Sequence, residues 1–157
     1  MVVGSVLGLL VGASLAFAHT LIWTTTPYGA NYAGHAHVDK EYGGDGKDYM
    51  YGQLDNDHIE GGNVGDYING EPLNDDLFGD YGNDTIVGQN GSDVDWGGSE
   101  NDTIWDSEGD DYDVLHGQND NDLLHSEDGV HDDVYGGPGD DICYVDGHDH
   151  FEDCAPL

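Results

Sequence analysis

Seven aspartates stand nine residues apart: Asp48, Asp57, Asp66, Asp75, Asp84, Asp93 and Asp102. Two positions after six of them comes an apolar side chain, Met50, Ile59, Ile68, Leu77, Ile86 or Ile104. Glycine or asparagine recurs in the residues before each aspartate. Evenly spaced carboxylates set among turn-forming residues can do one kind of chemistry well, which is to collect hard cations through oxygen atoms. A fixed short period of this kind also marks a stacked-repeat architecture.

The units that carry the aspartates can be written out: GGDGKDYMY, GQLDNDHIE, GGNVGDYIN, GEPLNDDLF, GDYGNDTIV, GQNGSDVDW and GGSENDTIW. The phase then slips. DSEGDDYDVLH has eleven residues, with Asp113 and Leu115 in the acidic and apolar positions; GQNDNDLLH restores nine, with Asp122 and Leu124. SEDGVHDDVY has ten, with Asp132 and Val134, and GGPGDDICY closes an eleven-unit array with Asp141 and Cys143. In each unit the first part is turn chemistry, because Gly and Asn accept positive φ and let the backbone curl its carbonyls toward a common point. The last three residues make a short strand with one side chain facing inward. Such strands form sheets only when units stack. Two units per coil predict two parallel sheets back to back, about 4.8 Å between coils.

Apolar burial in such a rod is thin. One inward aliphatic side chain per nine residues is little against the entropy of ordering the other eight. Aspartates of successive coils repel one another as well. A cation in the turns is therefore expected to be part of the fold. Calcium suits the donor set, taking six to eight oxygens in flexible geometry from carboxylates and carbonyls. Magnesium wants a tighter octahedron and keeps its waters. Transition metals want His or Cys, which are out of phase here.

Gly-Gly-x-Gly-x-Asp-x-U-x, carried by GGDGKDYMY and GGPGDDICY (with Cys143 in the apolar slot) and closely by GDYGNDTIV and GQNDNDLLH, resembles the RTX, or haemolysin-type, calcium-binding repeat. The resemblance covers about two-thirds of the chain. It implies an all-β fold, a parallel β-roll or two-sheet right-handed β-solenoid with short caps, which folds on calcium after export. It implies that ions lie between Asp48 and Asp66, Asp66 and Asp84, and Asp84 and Asp102 on one edge. On the other edge they lie between Asp57 and Asp75 and between Asp75 and Asp93. Turn groups at Gly43, Asp45, Gly46, Gly61, Asn63, Gly79, Gly82, Gly97, Gly136 and Gly139 would complete the shells. Asp122 and Asp141 extend the ligand set. Asp113 and Asp132 are included too, although the insertions before them are expected to disturb their geometry. Asp95 occupies an apolar slot, and a buried carboxylate is costly. A bulge or an outward-facing strand is expected there.

The whole-chain balance agrees. Of 157 residues, 34 are acidic, the only basic ones besides histidine are Lys40 and Lys47, and the formal net charge is −32. Nucleic acid and anionic membrane surfaces are poor partners for such a chain. Disorder usually comes with few aromatics and irregular spacing, whereas this chain has ten Tyr, three Trp and three Phe. A halophile would spread its acids without phase.

Residues 1–18, MVVGSVLGLLVGASLAFA, resemble a secretory signal peptide ending in Ala16-Phe17-Ala18, though without a basic residue at the start. If it were retained, the uncharged run to Trp23 would serve as an anchor. Residues 19–42 read as an N-terminal cap, with a strand at Leu21–Thr26 and a turn at Pro27-Tyr28-Gly29. His35 and His37 lack a third ligand and are assigned to the cap. The roll proper spans 43–144 and a C-terminal cap 145–157, where Cys143 and Cys154 are expected to pair in an extracellular chain. His148 and His150 read as exposed cap residues. This ending looks like that of small Sec-exported bacterial members of the family.

No metalloprotease, nucleophile-elbow or phosphate-loop motif occurs, so no catalytic residue is assigned and the chain is not expected to be an enzyme. The function expected is a secreted or cell-surface calcium-binding structural or interaction module. The alternatives are an extracellular adhesin or filament subunit, or the calcium-binding part of a longer secreted enzyme or toxin. A cell surface, a polysaccharide or a second copy of the chain are the partners left open. Thr85 and Thr103 recur at one position, but Tyr49, Tyr67, Asp76 and His58 break any flat ladder, which argues against ice binding.

Overall fold

The computed structural model describes residues 20–23, 29, 31–34, 36, 38–106 and 111–156. The expected leader at 1–18, and His35 and His37, lie outside them. Among the described residues sixteen strands alternate between two sheets and every named pair is parallel. One sheet takes the odd-numbered strands: β1 (Thr20–Trp23), β3 (Asp39–Asp45), β5 (His58–Asn63), β7 (Asp76–Tyr81), β9 (Val94–Ser99), β11 (Val114–Asn119), β13 (Asp133–Tyr135) and β15 (His150–Glu152). The other takes the even ones: β2 (Asn31–Ala33), β4 (Tyr49–Tyr51), β6 (Tyr67–Pro72), β8 (Thr85–Asn90), β10 (Thr103–Trp105), β12 (Leu123–His125), β14 (Ile142–Tyr144) and β16 (Ala155–Pro156). This is a two-sheet parallel β-solenoid with two repeats per coil, and no described residue is helical. None of the described residues form a helix able to cross a membrane.

Alternation within each short strand decides what lies inside. Position 8 of the repeat points inward, and Met50, Ile59, Ile68, Leu77, Ile86, Ile104, Leu115, Leu124, Val134 and Cys143 form one fully buried column between the sheets. Position 1 is inward as well. At Gly61 an added Cβ would lie 2.7 Å from Oδ2 of Asp66 and 2.9 Å from the Gly79 carbonyl oxygen, so any side chain there would displace the carboxylate. Positions 7 and 9 point outward and stack along the sheets. Phe78 and Trp96 lie 4.3 Å apart, and Trp105, His125 and Tyr144 stack at 3.6 and 4.3 Å. Such cross-strand pairs add to sheet stability.

Two features differ from the sequence-based expectation. The coil does not start at residue 43. Strands β1, β2 and β3 already belong to the two sheets, and Lys40, Glu41 and Tyr42 pair with His58, Ile59 and Glu60. Asp95 is neither bulged nor turned outward. It sits between Leu77 and Leu115 in unbroken register and is completely buried. A one-residue shift would put Val94 and Trp96 into the core and pull Asp93 from its place, so register outweighs the burial of one carboxylate.

At the far end Cys143 and Cys154 are joined. Cys143 is the last member of the buried column, and Cys154 packs against it from the turn before β16. The terminal coil has a neighbour on one side only, where fraying is expected. The double variant C143A/C154A should lower stability by about 3 kcal/mol in saturating calcium, read from urea unfolding. An unchanged urea midpoint would show that the bridge does not hold the last coil.

Candidate metal-binding array

The aspartate at position 6 ends each turn, just before its strand. Because alternate units turn at opposite edges, these residues form two columns. One contains Asp48, Asp66, Asp84, Asp102, Asp122 and Asp141; the other contains Asp39, Asp57, Asp75, Asp93, Asp113, Asp132 and Asp149. Each backbone N–H donates to Oδ1 of the aspartate one coil further on. The distances are 2.6–2.8 Å in the first column. In the second they are 2.7 Å from Asp39 to Asp93, 2.9 Å onward to Asp113 and Asp132, and 3.2 Å at Asp149. The side chain thus satisfies an N–H that the turn would otherwise bury without a partner.

Only one oxygen is used in this way. Oδ2 of Asp57, Asp66, Asp75, Asp84, Asp93, Asp102, Asp113, Asp122, Asp132 and Asp141 is buried and accepts no hydrogen bond. Leaving such an atom unpaired is expensive, and repeating the arrangement coil after coil requires a common counter-charge. Lys40 and Lys47 are both exposed. The free atoms are all hard oxygens, which fits calcium and gives a softer metal nothing to prefer.

Without a counter-ion, burial pushes these carboxyls up. Asp57, Asp66, Asp84 and Asp93 rise to about 7, Asp102 and Asp113 to about 8, Asp75 to about 9, and Asp122 and Asp132 to about 6. Desolvation is the main cause in each, opposed by the backbone hydrogen bond and reinforced by neighbouring carboxylates.

The turn residues expected to complete the shells fall at three positions. Gly43, Gly61, Gly79, Gly97 and Gly136 all occupy position 1 on the first edge, each facing the Oδ2 of its own unit's aspartate. Gly46, Gly82 and Gly139 occupy position 4. Positive φ marks this point of the turn in Gly46 and Gly82 and is imposed even on Val64 and Leu73. Asp45 and Asn63 are exposed at position 3, where the Asn63 amide donates to Asp45 at 2.8 Å.

Asp113 and Asp132, expected to be disturbed, are in the column with the same hydrogen bond as their neighbours. The column thus continues past both insertions. Irregularity therefore divides the array by edge. On the first edge the six turns between β3 and β14 each have six residues and start with glycine, at Gly43, Gly61, Gly79, Gly97, Gly117 and Gly136. On the second, Gly34, Gly52, Gly70 and Gly88 give way to Asp106, Ser126 and Val145, and turn length changes at each.

Several acidic residues escaped the sequence reading. Asp39 and Asp149 extend the second column at its two ends. Asp39 lies nine residues before Asp48, a signal that was available. Glu41 fills the inward slot before Ile59, is fully buried, and is pushed up to about 8 by desolvation and by Asp39 and Asp57. Asp95 and Asp106 are fully buried with both oxygens unpaired, and burial and adjacent carboxylates raise them well above the usual range.

A family model described as the RTX calcium-binding nonapeptide repeat matches residues 42–68, 69–94 and 96–130. No curated protein and no solved structure matches the chain.

Proposed function

The chain belongs to the RTX calcium-binding nonapeptide repeat family, and from that premise we propose that it is a secreted module which folds when calcium fills its stacked turns and then serves as a structural or interaction rod. The observation that carries this is the half-used carboxylate. In column after column one oxygen fixes the neighbouring coil while the other is buried without a partner. In this reading the second oxygens of Asp57, Asp66, Asp75, Asp84, Asp93, Asp102, Asp113, Asp122, Asp132 and Asp141, with Asp48, hold the ions together with turn carbonyls. The ions supply the charge neutralisation that the chain's own side chains do not.

Export is supported by the leader-like residues 1–18 and by the Cys143–Cys154 bridge, which needs an oxidising compartment. Calcium sites of extracellular modules work at 10⁻⁴–10⁻³ M, which suits folding after release. We assign no catalytic role, because the ladder carboxylates are committed to coil-to-coil contacts.

Circular dichroism during calcium titration tests the proposal. At pH 7.5 the chain is expected to be largely unstructured in EDTA, β-rich in millimolar calcium and poorly rescued by magnesium. Equal β content in EDTA would overturn it and leave salt adaptation as the reason for the acidity.

A further inference from the structure

The two sheets turn different faces to solvent. At the outward positions 7 and 9 the odd-numbered strands carry Lys40, Glu60, Asp76, Asp133 and Glu152. The same positions of β4, β6, β8, β10, β12 and β14 hold no aspartate, glutamate or lysine. Aromatic, aliphatic, threonine, asparagine and histidine side chains stand there instead. The chain's net charge of −32 is thus kept off one entire sheet face.

That strip is not level. Tyr67 on β6 is backed by the two tyrosines of β4, with ring centroids 6.1 and 5.8 Å away, and on its other side meets only Thr85 of β8. Trp105 on β10 stacks on the histidine of β12 at 3.6 Å, so its other ring face turns back over Val87, its partner on β8, and the residue is 41% exposed. The two rings wall a saddle floored by Asn69, Thr85, Val87 and Thr103. Asn69 is pinned there. Its Oδ1 accepts from the Gln89 side-chain amide at 2.6 Å and from the Glu71 N–H at 3.0 Å, which leaves its own N–H groups as donors. Along the rod the walls stand two strand spacings apart, about 10 Å. Carbon contacts of about 4 Å against each wall leave room for one puckered ring.

What the saddle offers and lacks decides its occupant. Anionic polymers are repelled by the net charge, and a cationic partner finds its counter-charges on the edges and the other sheet. A second copy of the chain fits poorly, because strand spacing and rise give the strip about 300 Å² in outline, against about 800 Å² per partner in a stable dimer. A neutral sugar ring presents an apolar C–H face to an aromatic wall and hydroxyl groups to Thr85, Thr103 and the Asn69 amide, and it brings no charge to desolvate. We propose that this face binds an uncharged polysaccharide, with one sugar ring lodged between Tyr67 and Trp105. This names the partner of the interaction rod proposed above and rests on that reading.

Affinity electrophoresis in millimolar calcium tests it, with native gels containing hydroxyethylcellulose, galactomannan, dextran or dextran sulfate. The chains are wild type, W105A, V87Y and E60Q, each first checked for β content by circular dichroism. W105A removes a wall, V87Y fills the saddle without removing one, and E60Q alters the other sheet. Wild type and E60Q are expected to be retarded by at least one neutral polymer and not by dextran sulfate, and W105A and V87Y to bind at least tenfold more weakly. A folded wild-type chain that no neutral polymer retards would overturn the site, as would undiminished retardation of both saddle variants or failure of both to fold in calcium. A wild-type dimer in sedimentation that W105A and V87Y abolish would assign the face to a second copy and overturn it too. A wild-type chain that never becomes β-rich in calcium would instead overturn the calcium-folded rod itself.

Discussion

In EDTA, lowering the pH from 7.5 to 5 should fold the chain without any metal. The same change should raise the calcium concentration needed to half-fill the sites. The first effect follows from the aspartate columns. Nine ladder carboxyls from Asp57 to Asp132 are pushed up to between about 6 and about 9 in the cation-free fold, against 3.8 when unperturbed. Their folded values lie above their unfolded ones, so their contribution is fully present below about 3.8 and is lost as pH rises through about 6 to 9. Between those limits the folded chain holds more protons than the unfolded one, and acid favours folding. Histidine works the other way, since burial lowers His116 and His125 below 6.5 and acid then favours the unfolded state. Two histidines stand against nine carboxyls, so the carboxyls decide the sign. At pH 5 the chain is still above its pI of about 4.1 and keeps a net negative charge.

The second effect has the opposite sign because calcium requires the ionised form. Each ligand carboxyl must lose its proton before it can bind, so protons compete with the metal. The measurements are circular dichroism in EDTA across this pH range and equilibrium dialysis of calcium at each pH. Two opposite dependences are expected: folding promoted by acid at zero calcium, and a calcium-binding midpoint that moves at least tenfold upward between pH 7.5 and 5.5. If acid leaves the EDTA form unstructured, the buried columns are not what keeps it unfolded. A calcium midpoint independent of pH would mean that the ligands are carbonyls alone.

The nine-residue period was enough to read the two sheets, the inward column from Met50 to Cys143 and most of the aspartate columns, because each repeat can stack in only one way. Three things were not legible for identifiable reasons. Alternate units serve alternate edges, so the altered turns at Asp106, Ser126 and Val145 look scattered on a nine-residue count. They align when units are compared two apart. Asp39 obeys the spacing, but Glu41 follows in the place of an aliphatic residue and hides the unit. Asp149 ends a turn shortened by one residue and so falls out of phase. Asp95 misled for another reason. The cost of burying a carboxylate is real, but turning it outward would move Val94, Trp96 and Asp93 together, which costs more.

That same residue gives the largest single-site effect expected outside the ladder. Replacing Asp95 with valine should make the chain fold at lower calcium. The slot lies between Leu77 and Leu115 on the inner face of its sheet, and the opposite sheet fills it with Ile86, Ile104 and Leu124. Valine is close to aspartate in shape and favours strands, and Val134 already occupies an equivalent slot. The substitution removes two buried oxygens that have no hydrogen-bond partner and completes the apolar column. Relieving one such buried polar group is worth about 1–3 kcal/mol, and the added apolar contact acts in the same direction. It also removes a charge facing Asp93 and Asp113. Urea unfolding at fixed, saturating calcium should show a gain of about 2 kcal/mol, and the calcium midpoint should fall. The calcium count separates the two roles open to Asp95. A stabilised variant with the wild-type number of ions places Asp95 beside the Asp93 and Asp113 carboxylates as a source of field. A variant that is destabilised and one ion short would make Asp95 a ligand, and the interruption of the apolar column would then be the means by which the coil holds that ion.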